Sequence, residues 1–162
     1  MIVGAPGAGK STVGALVATA LGVAFRDTDS DIEATAGKPI PDIFIEDGEA
    51  AFRTFERAAV ATALASFDGV LALGGGAVLS EETRARLRGH RVVYLSVELA
   101  DAVGRVGLGQ GRPLLTVNPR ATLKFLLDQR RPLYQEVASV TVVTDGRAPR
   151  EIADEVLAAL NA

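Results

Sequence analysis

The chain has 162 residues, 20 acidic against 17 basic side chains, one histidine, no cysteine and a formal net charge of −3. That length suits one domain, residues 1–162, able to bury roughly 70% of the surface its unfolded chain exposes. The composition excludes a disulfide framework, a thiolate nucleophile and a cysteine zinc site, and the acidic balance argues against a nucleic-acid binder. No apolar run reaches spanning length and no secretory leader is recognisable, so a cytoplasmic protein independent of membranes is expected.

Met1-Ile2-Val3 reads as the end of a strand, a short one because only three residues precede Gly4. Gly4-Ala5-Pro6-Gly7-Ala8-Gly9-Lys10-Ser11 then fits G-x-x-x-x-G-K-[S/T], the phosphate-binding P-loop. Its glycines let backbone N–H groups approach a polyphosphate, Lys10 supplies a mobile cation to the outer phosphates, and the Ser11 hydroxyl can ligate Mg²⁺. Val13, Leu16, Val17, Ala20 and Leu21 recur at helical spacing up to Gly22. The helix start therefore adds its dipole to the anion site.

The apolar stretch Val23-Ala24-Phe25 leads to Asp27-Thr28-Asp29, and Ser30-Asp31-Ile32-Glu33 reads as a capping box for a short helix. Pro41 suits position N1 of a further helix, and Gly48 ends that segment. Residues 49–64 read as a long helix packing through Phe52, Phe55, Ala59 and Leu64. Val70-Leu71-Ala72-Leu73 is a buried strand running into Gly74-Gly75-Gly76, and Ser80 caps a polar helix ending near Arg88-Gly89. Val92-Val93-Tyr94-Leu95 is the next strand, followed by a helix to about Val106. The glycine-rich run 107–113 reads as a mobile loop. A helix up to about Arg131, a strand over 140–144 and an amphipathic helix from Pro149 complete the chain. Alternating strands and helices imply a parallel sheet covered by helices on both faces.

In such sheets ligands gather at the carboxyl ends of the strands. Asp27 and Asp29 follow the second strand, where an extended Asp-Thr-Asp places both carboxylates on one side. One can anchor metal-bound water while the other orients or deprotonates a hydroxyl; equally, Asp29 can simply cap a helix. Gly74-Gly75-Gly76 is either a plain turn or a set of unshielded amides that cradle a substrate. Arg53 can lie on a solvated helix face, but Glu56 at i+3 can brace its guanidinium while Phe52 and Phe55 anchor the helix. Arg112 lies in the glycine-rich loop, and Arg130 precedes Arg131-Pro132, where a helix should break and turn the side chain toward a cleft. Only Lys10, Lys38 and Lys124 are lysines, so arginines dominate the basic residues, a bias that a GC-rich genome also writes. His90 sits in a polar Gly-His-Arg turn and reads as a surface residue, which leaves no histidine base.

Taken together, Gly4 to Thr12, Asp27-Thr28-Asp29-Ser30-Asp31-Ile32-Glu33, the run from Gly37 to Glu56, Leu73-Gly74-Gly75-Gly76-Ala77, Arg112-Pro113-Leu114-Leu115 and Arg130-Arg131-Pro132-Leu133-Tyr134 resemble the shikimate kinases, in that family's order and over essentially the whole chain. The resemblance implies a P-loop α/β fold like that of the nucleoside-monophosphate kinases: a three-layer sandwich with a central parallel sheet, helices on both faces and a mobile lid at about 107–119. It places the substrate-binding segment at about 30–60. The activity it implies is ATP-dependent phosphorylation of the 3-hydroxyl of shikimate, a step toward chorismate and the aromatic amino acids, by a monomer. Gly7, Ala8, Gly9, Lys10, Ser11 and Thr12 would hold ATP, with Ser11 and Asp27 holding Mg²⁺. Asp29 would position the acceptor hydroxyl and accept its proton. Arg53, Gly74, Gly75, Gly76 and Arg130 would grip shikimate, and Arg112 would close onto the ATP phosphates. Arg105 and the segment Thr144-Asp145-Gly146-Arg147-Ala148-Pro149 resemble the family's adenine-contacting elements.

Three other readings compete. A gluconate kinase would keep the P-loop and change the acceptor groups. In an adenylate kinase, a motif like Asp145-Gly146-Arg147-Ala148-Pro149-Arg150 would lie elsewhere than near the C-terminus. A non-catalytic nucleotide-binding module would have lost Lys10, Asp29 or a substrate arginine.

Overall fold

The computed structural model describes residues 1–106 and 118–162. Five strands form one sheet in the order β2-β3-β1-β4-β5, and every pairing is parallel. They are β1 (Ile2–Val3), β2 (Ala24–Asp27), β3 (Gly69–Ala72), β4 (Val93–Ser96) and β5 (Val140–Val143). The register sets Asp27 beside Ala72, Ala72 beside Ile2, Ile2 beside Val93, and Val93 beside Val140. The loops leaving β1, β2 and β3 therefore open at one edge. The chain moves from β1 outward to β2, returns through β3, and then crosses to β4 on the other side of β1. That reversal creates a crevice at the carboxyl end of β1, the switch point where open α/β sheets bind ligands.

Helices cover the sheet. α1 (Lys10–Leu21) and the last helix, α8 (Pro149–Asn161), pack together. α4 (Gly48–Ser66), α5 (Glu81–Leu87) and α7 (Pro119–Val137) make a second group around a 3₁₀ turn at Ala77–Leu79, with α6 (Leu99–Val106) against α7. Val13 and Val17 of α1, Val60 of α4, Leu123 and Leu127 of α7, and Ile152 of α8 join the buried strand residues in one core. α2 (Thr28–Ala36) and α3 (Ile40–Glu46) complete a smaller core with α4, in which Ile32, Ile43 and Phe52 are buried and the Phe44 and Phe52 rings lie 4.7 Å apart. The segment expected to bind substrate thus has a small hydrophobic centre of its own.

Three expectations need correcting. α2 starts at Thr28, because Asp27 caps it: the Asp27 carboxylate accepts from the Asp29 N–H at 2.9 Å. The Ser30–Glu33 capping box does not form; Glu33 instead accepts from the Ile40 N–H and ties α2 to α3. Asp27-Thr28-Asp29 is consequently not one extended segment. Gly48 ends α3 as expected, in the left-handed C′ position with φ of +85° after the cap Asp47, but it also opens α4, one residue before the expected start. Finally, α7 does not break at Arg131-Pro132 but continues to Val137. Pro132 removes one helical hydrogen bond, yet Tyr134 beyond it is buried in the main core, and that packing carries the helix through. The expected lid, including Arg112, falls almost wholly on residues 107–117, outside the described residues.

Candidate active site

The P-loop joins β1 to α1. Gly9 caps α1 in the left-handed conformation, φ +86°, and contributes no side-chain cap, so the first N–H groups of the helix are left to face an anion. At Gly7, φ is +83° and a β-carbon would stand 3.0 Å from the Ala102 carbonyl oxygen, so the loop can take this path only with glycine there. Lys10 Nζ donates to the Ala5 carbonyl at 3.1 Å, which keeps the ammonium folded over the loop.

A cavity of about 430 Å³ opens in front of these amides. Its near wall is Gly7, Ala8, Gly9, Lys10, Ser11 and Thr12; its far wall is Arg105, Arg147, Pro149 and Ile152. Arg105 donates to the Thr144 hydroxyl at 2.9 Å and to the Thr144 carbonyl at 2.6 Å. Arg147 donates to the Val143 carbonyl and pairs with Glu155 at 2.6 Å. Both guanidiniums are thereby fixed as walls. The segment carrying Arg147 is docked in turn, since Asp101 accepts from the Gly146 N–H at 2.7 Å and Asp145 from the Glu98 N–H at 2.8 Å.

Ser11 Oγ donates to Asp27 Oδ2 at 2.5 Å. With its other oxygen capping α2, the Asp27 carboxylate ties β2 and α2 to the start of α1. Among the described residues no group of three or more His, Cys, Asp or Glu gathers as a metal cage. One hydroxyl and one carboxylate side by side are instead the hard oxygen pair that suits Mg²⁺ shared with phosphates and water.

On the other side of the crevice, Gly74-Gly75-Gly76 bears three separate contacts. A β-carbon on Gly74 would lie 2.6 Å from Asp29 Oδ1 and 3.1 Å from Glu56 Oε2. One on Gly75 would lie 3.0 Å from Cδ of Pro6 in the P-loop, and one on Gly76 would fall within the Arg53 guanidinium. None of the three glycines has a positive φ. The turn they form, closed by the Ala77 N–H on the Gly74 carbonyl at 3.0 Å, does not itself require glycine; the glycines make room.

Arg53 donates to Glu56 at 2.8 Å and reaches Glu49 at 3.3 Å. Glu56 is only 3% exposed, and burial raises its carboxyl above the ordinary value, against the pull of Arg53 and with the charge of Asp29 adding to the rise. Arg130, also 3% exposed, has a buried Nε with no hydrogen-bond partner among the described residues. Burial, and then the like charge of Arg53, lower its guanidinium from the ordinary value, while Tyr134 and Glu56 oppose the shift. Two neighbouring cations are therefore held here, Arg53 on Glu56 and Arg130 on the Tyr134 hydroxyl, an environment that an incoming carboxylate would stabilise.

The expected site residues that the structure describes fall at two places: Lys10, Ser11, Arg105 and Arg147 line the cavity, with Asp27 on Ser11, and Asp29 and Arg53 lie against the three glycines, with Arg130 beside Arg53 and Tyr134. Two further contributors were not singled out in the sequence. Thr28, fully buried, accepts from the Gly74 N–H at 3.1 Å, and the Tyr134 hydroxyl donates to the Gly75 carbonyl at 2.5 Å. Tyr134 lies four residues after Arg130, the spacing of one helix face, and only the expected break at Pro132 hid that relation.

The family model for shikimate kinase matches residues 6–161. The chain belongs to the shikimate kinase family. A shikimate kinase from Salinispora tropica is 72% identical over 160 residues, covering 99% of this chain and 96% of that protein. Among solved structures, the shikimate kinase from Acinetobacter baumannii in complex with shikimate superposes with a TM-score of 0.93 at 39% identity, covering 99% of this chain and 90% of that one. A gluconokinase from Sinorhizobium meliloti reaches a TM-score of 0.60 at 22% identity over 99% of this chain and 90% of its own, and shares the fold alone. This kinase therefore has the expected P-loop fold with a central parallel sheet. Among its described residues, no helix is long and apolar enough to cross a membrane.

Proposed function

We propose the following division of labour for the reaction of this family, transfer of the terminal phosphoryl group of ATP to the 3-hydroxyl of shikimate. The chain is a kinase that forms shikimate 3-phosphate and ADP on the way to chorismate and the aromatic amino acids. Gly7 to Thr12 hold the ATP phosphates, Lys10 follows the charge of the transferred group, and Arg105 and Arg147 flank the base. Ser11 and Asp27 hold Mg²⁺, which when bound neutralises charge on the phosphates. Asp29 orients the acceptor hydroxyl and takes its proton, while Arg53 and Arg130 hold the acceptor carboxylate above Gly74, Gly75 and Gly76.

One observation carries this reading. The two-arginine pocket abuts the P-loop through the contact of Gly75 with Pro6, so an acid held there lies next to the phosphate cavity. Phosphoryl transfer needs little covalent help from the protein; positioning and charge stabilisation supply most of the catalysis. Nothing in this scheme needs a second subunit, a membrane or a nucleic acid, in keeping with a cytoplasmic monomer working as one domain whose acceptor-binding part is about residues 30–60.

The test is ADP release with ATP and Mg²⁺, comparing shikimate, gluconate and no acceptor. Strong stimulation by shikimate alone is expected. Equal stimulation by gluconate would remove the specificity assigned to Arg53 and Arg130.

A further inference from the structure

The Tyr134 side chain is 1% exposed and stacks on Tyr94 with ring centroids 5.1 Å apart, in the interior of the molecule. A phenol in that position must satisfy its hydroxyl or lose stability. It does so on a backbone carbonyl of the acceptor site, Gly75, at 2.5 Å, and accepts from the Arg130 guanidinium as well. Burial raises the phenol well above its ordinary value, so it remains a donor throughout the physiological range.

No peptide bond described is cis, so the Gly75 carbonyl and the Gly76 N–H point in opposite directions across one rigid plane. Holding the carbonyl toward Tyr134 turns the Gly76 N–H away from it. Gly75 itself rests on Pro6, and Gly76 on the Arg53 guanidinium. Arg130 lies one helical turn before Tyr134 on the same buried face of α7. A single hydroxyl thus joins α7, the glycine turn and, through Pro6, the P-loop.

From this geometry we infer that Tyr134 is a positioning residue for the acceptor: its hydroxyl fixes the Gly75–Gly76 peptide plane and locks that plane to the helix that carries Arg130. The inference rests on the acceptor-pocket reading given above. Pro132 fits the same role, because α7 must pass through it, against local preference, to deliver Tyr134.

The test is Tyr134→Phe, which deletes one oxygen and keeps the ring on Tyr94. KM for shikimate should rise roughly 5–10-fold, the scale of one hydrogen bond, with KM for ATP and kcat each within about threefold of the parent. Calorimetry without nucleotide should show the same loss in shikimate affinity. A fall in Tm with unchanged KM and affinity for shikimate would overturn the inference and leave Tyr134 a core residue. Arg53→Ala is measured alongside. If it raises KM for shikimate and Tyr134→Phe does not, the positioning role fails alone; if neither does, the acceptor-pocket reading fails with it.

Discussion

The guanidinium of Arg53 occupies the volume that a β-carbon on Gly76 would need. A basic side chain of α4 therefore lies directly on the backbone of the loop leaving β3, and Glu56 one turn along holds it there at 2.8 Å. The two residues are separated by a strand and a helix end in sequence, and the fold closes them into one surface. Gly76→Ala should displace Arg53 without creating backbone strain, since φ at Gly76 is −95°. The expected result is a loss of roughly tenfold or more in kcat/KM for shikimate, with little change in KM for ATP and a nearly unchanged Tm. Kinetics equal to the parent would show that the observed placement of Arg53 is not the one that matters for the acceptor.

Asp29 separates two readings of one carboxylate. The position that caps α2 is Asp27, which frees Asp29 from that duty and leaves it against Gly74 at the acceptor pocket. Asp29→Asn should keep the fold and ATP binding and lower kcat by roughly 10²-fold or more, the scale of a general base. Steady-state kinetics with circular dichroism as a folding control checks this; near-normal kcat would remove Asp29 from the chemistry.

Much of this arrangement could be read before any coordinates. The P-loop, its helix and the alternation of strands and helices were legible because each rests on local chemistry: glycines before a lysine, an apolar period of 3.6, buried β-branched runs. The Arg53–Glu56 pair was legible for the same reason, being one helical turn long. What escaped was decided by contacts distant in sequence. Ser30-Asp31-Ile32-Glu33 carries the right letters for a capping box, but Asp27 outcompetes Ser30 because it also meets Ser11 across the sheet edge. Pro132 carries the signal of a helix end, and burial of Tyr134 against Tyr94 overrides it. Three consecutive glycines announce a turn, and the turn forms, but why all three are glycine is decided by the space required by Asp29, Pro6 and Arg53.

Lys10 tests the separation of the two sites. Lys10→Ala should damage ATP-dependent turnover strongly, because it removes the cation that follows the outer phosphates. Shikimate binding measured by calorimetry without nucleotide should change much less. The reverse pattern would mean that the nucleotide and acceptor sites have been exchanged.

Glu56 gives a pH prediction. Its carboxyl is raised in the folded protein above the unfolded value of 4.5, chiefly by burial. The folded state thus holds this proton more tightly than the unfolded state, and the stability so gained is fully present below about pH 4.5. It is lost as the pH rises through the raised value. Relative to Glu56→Gln, the parent should therefore lose stability as pH increases from about 4.5 through the raised value and level off above it, seen in Tm curves of both proteins between acid and neutral pH. A difference independent of pH would mean that Arg53 fully offsets the burial.

The pairing of Arg53 with Arg130 at one carboxylate is the central claim, and a double-mutant cycle across acceptors tests it most directly. Shikimate and an analogue with its carboxylate replaced by an alcohol are compared on the parent, Arg53→Ala, Arg130→Ala and the corresponding lysine variants. With shikimate, losing either arginine should cost roughly 10–150-fold in kcat/KM, as for a charge-assisted hydrogen bond, and lysine should restore only part of it. The alcohol should be a poor acceptor for the parent and lose little more on mutation. If acid and alcohol suffer equally, the two arginines serve the phosphoryl group or the fold, and the carboxylate assignment is wrong.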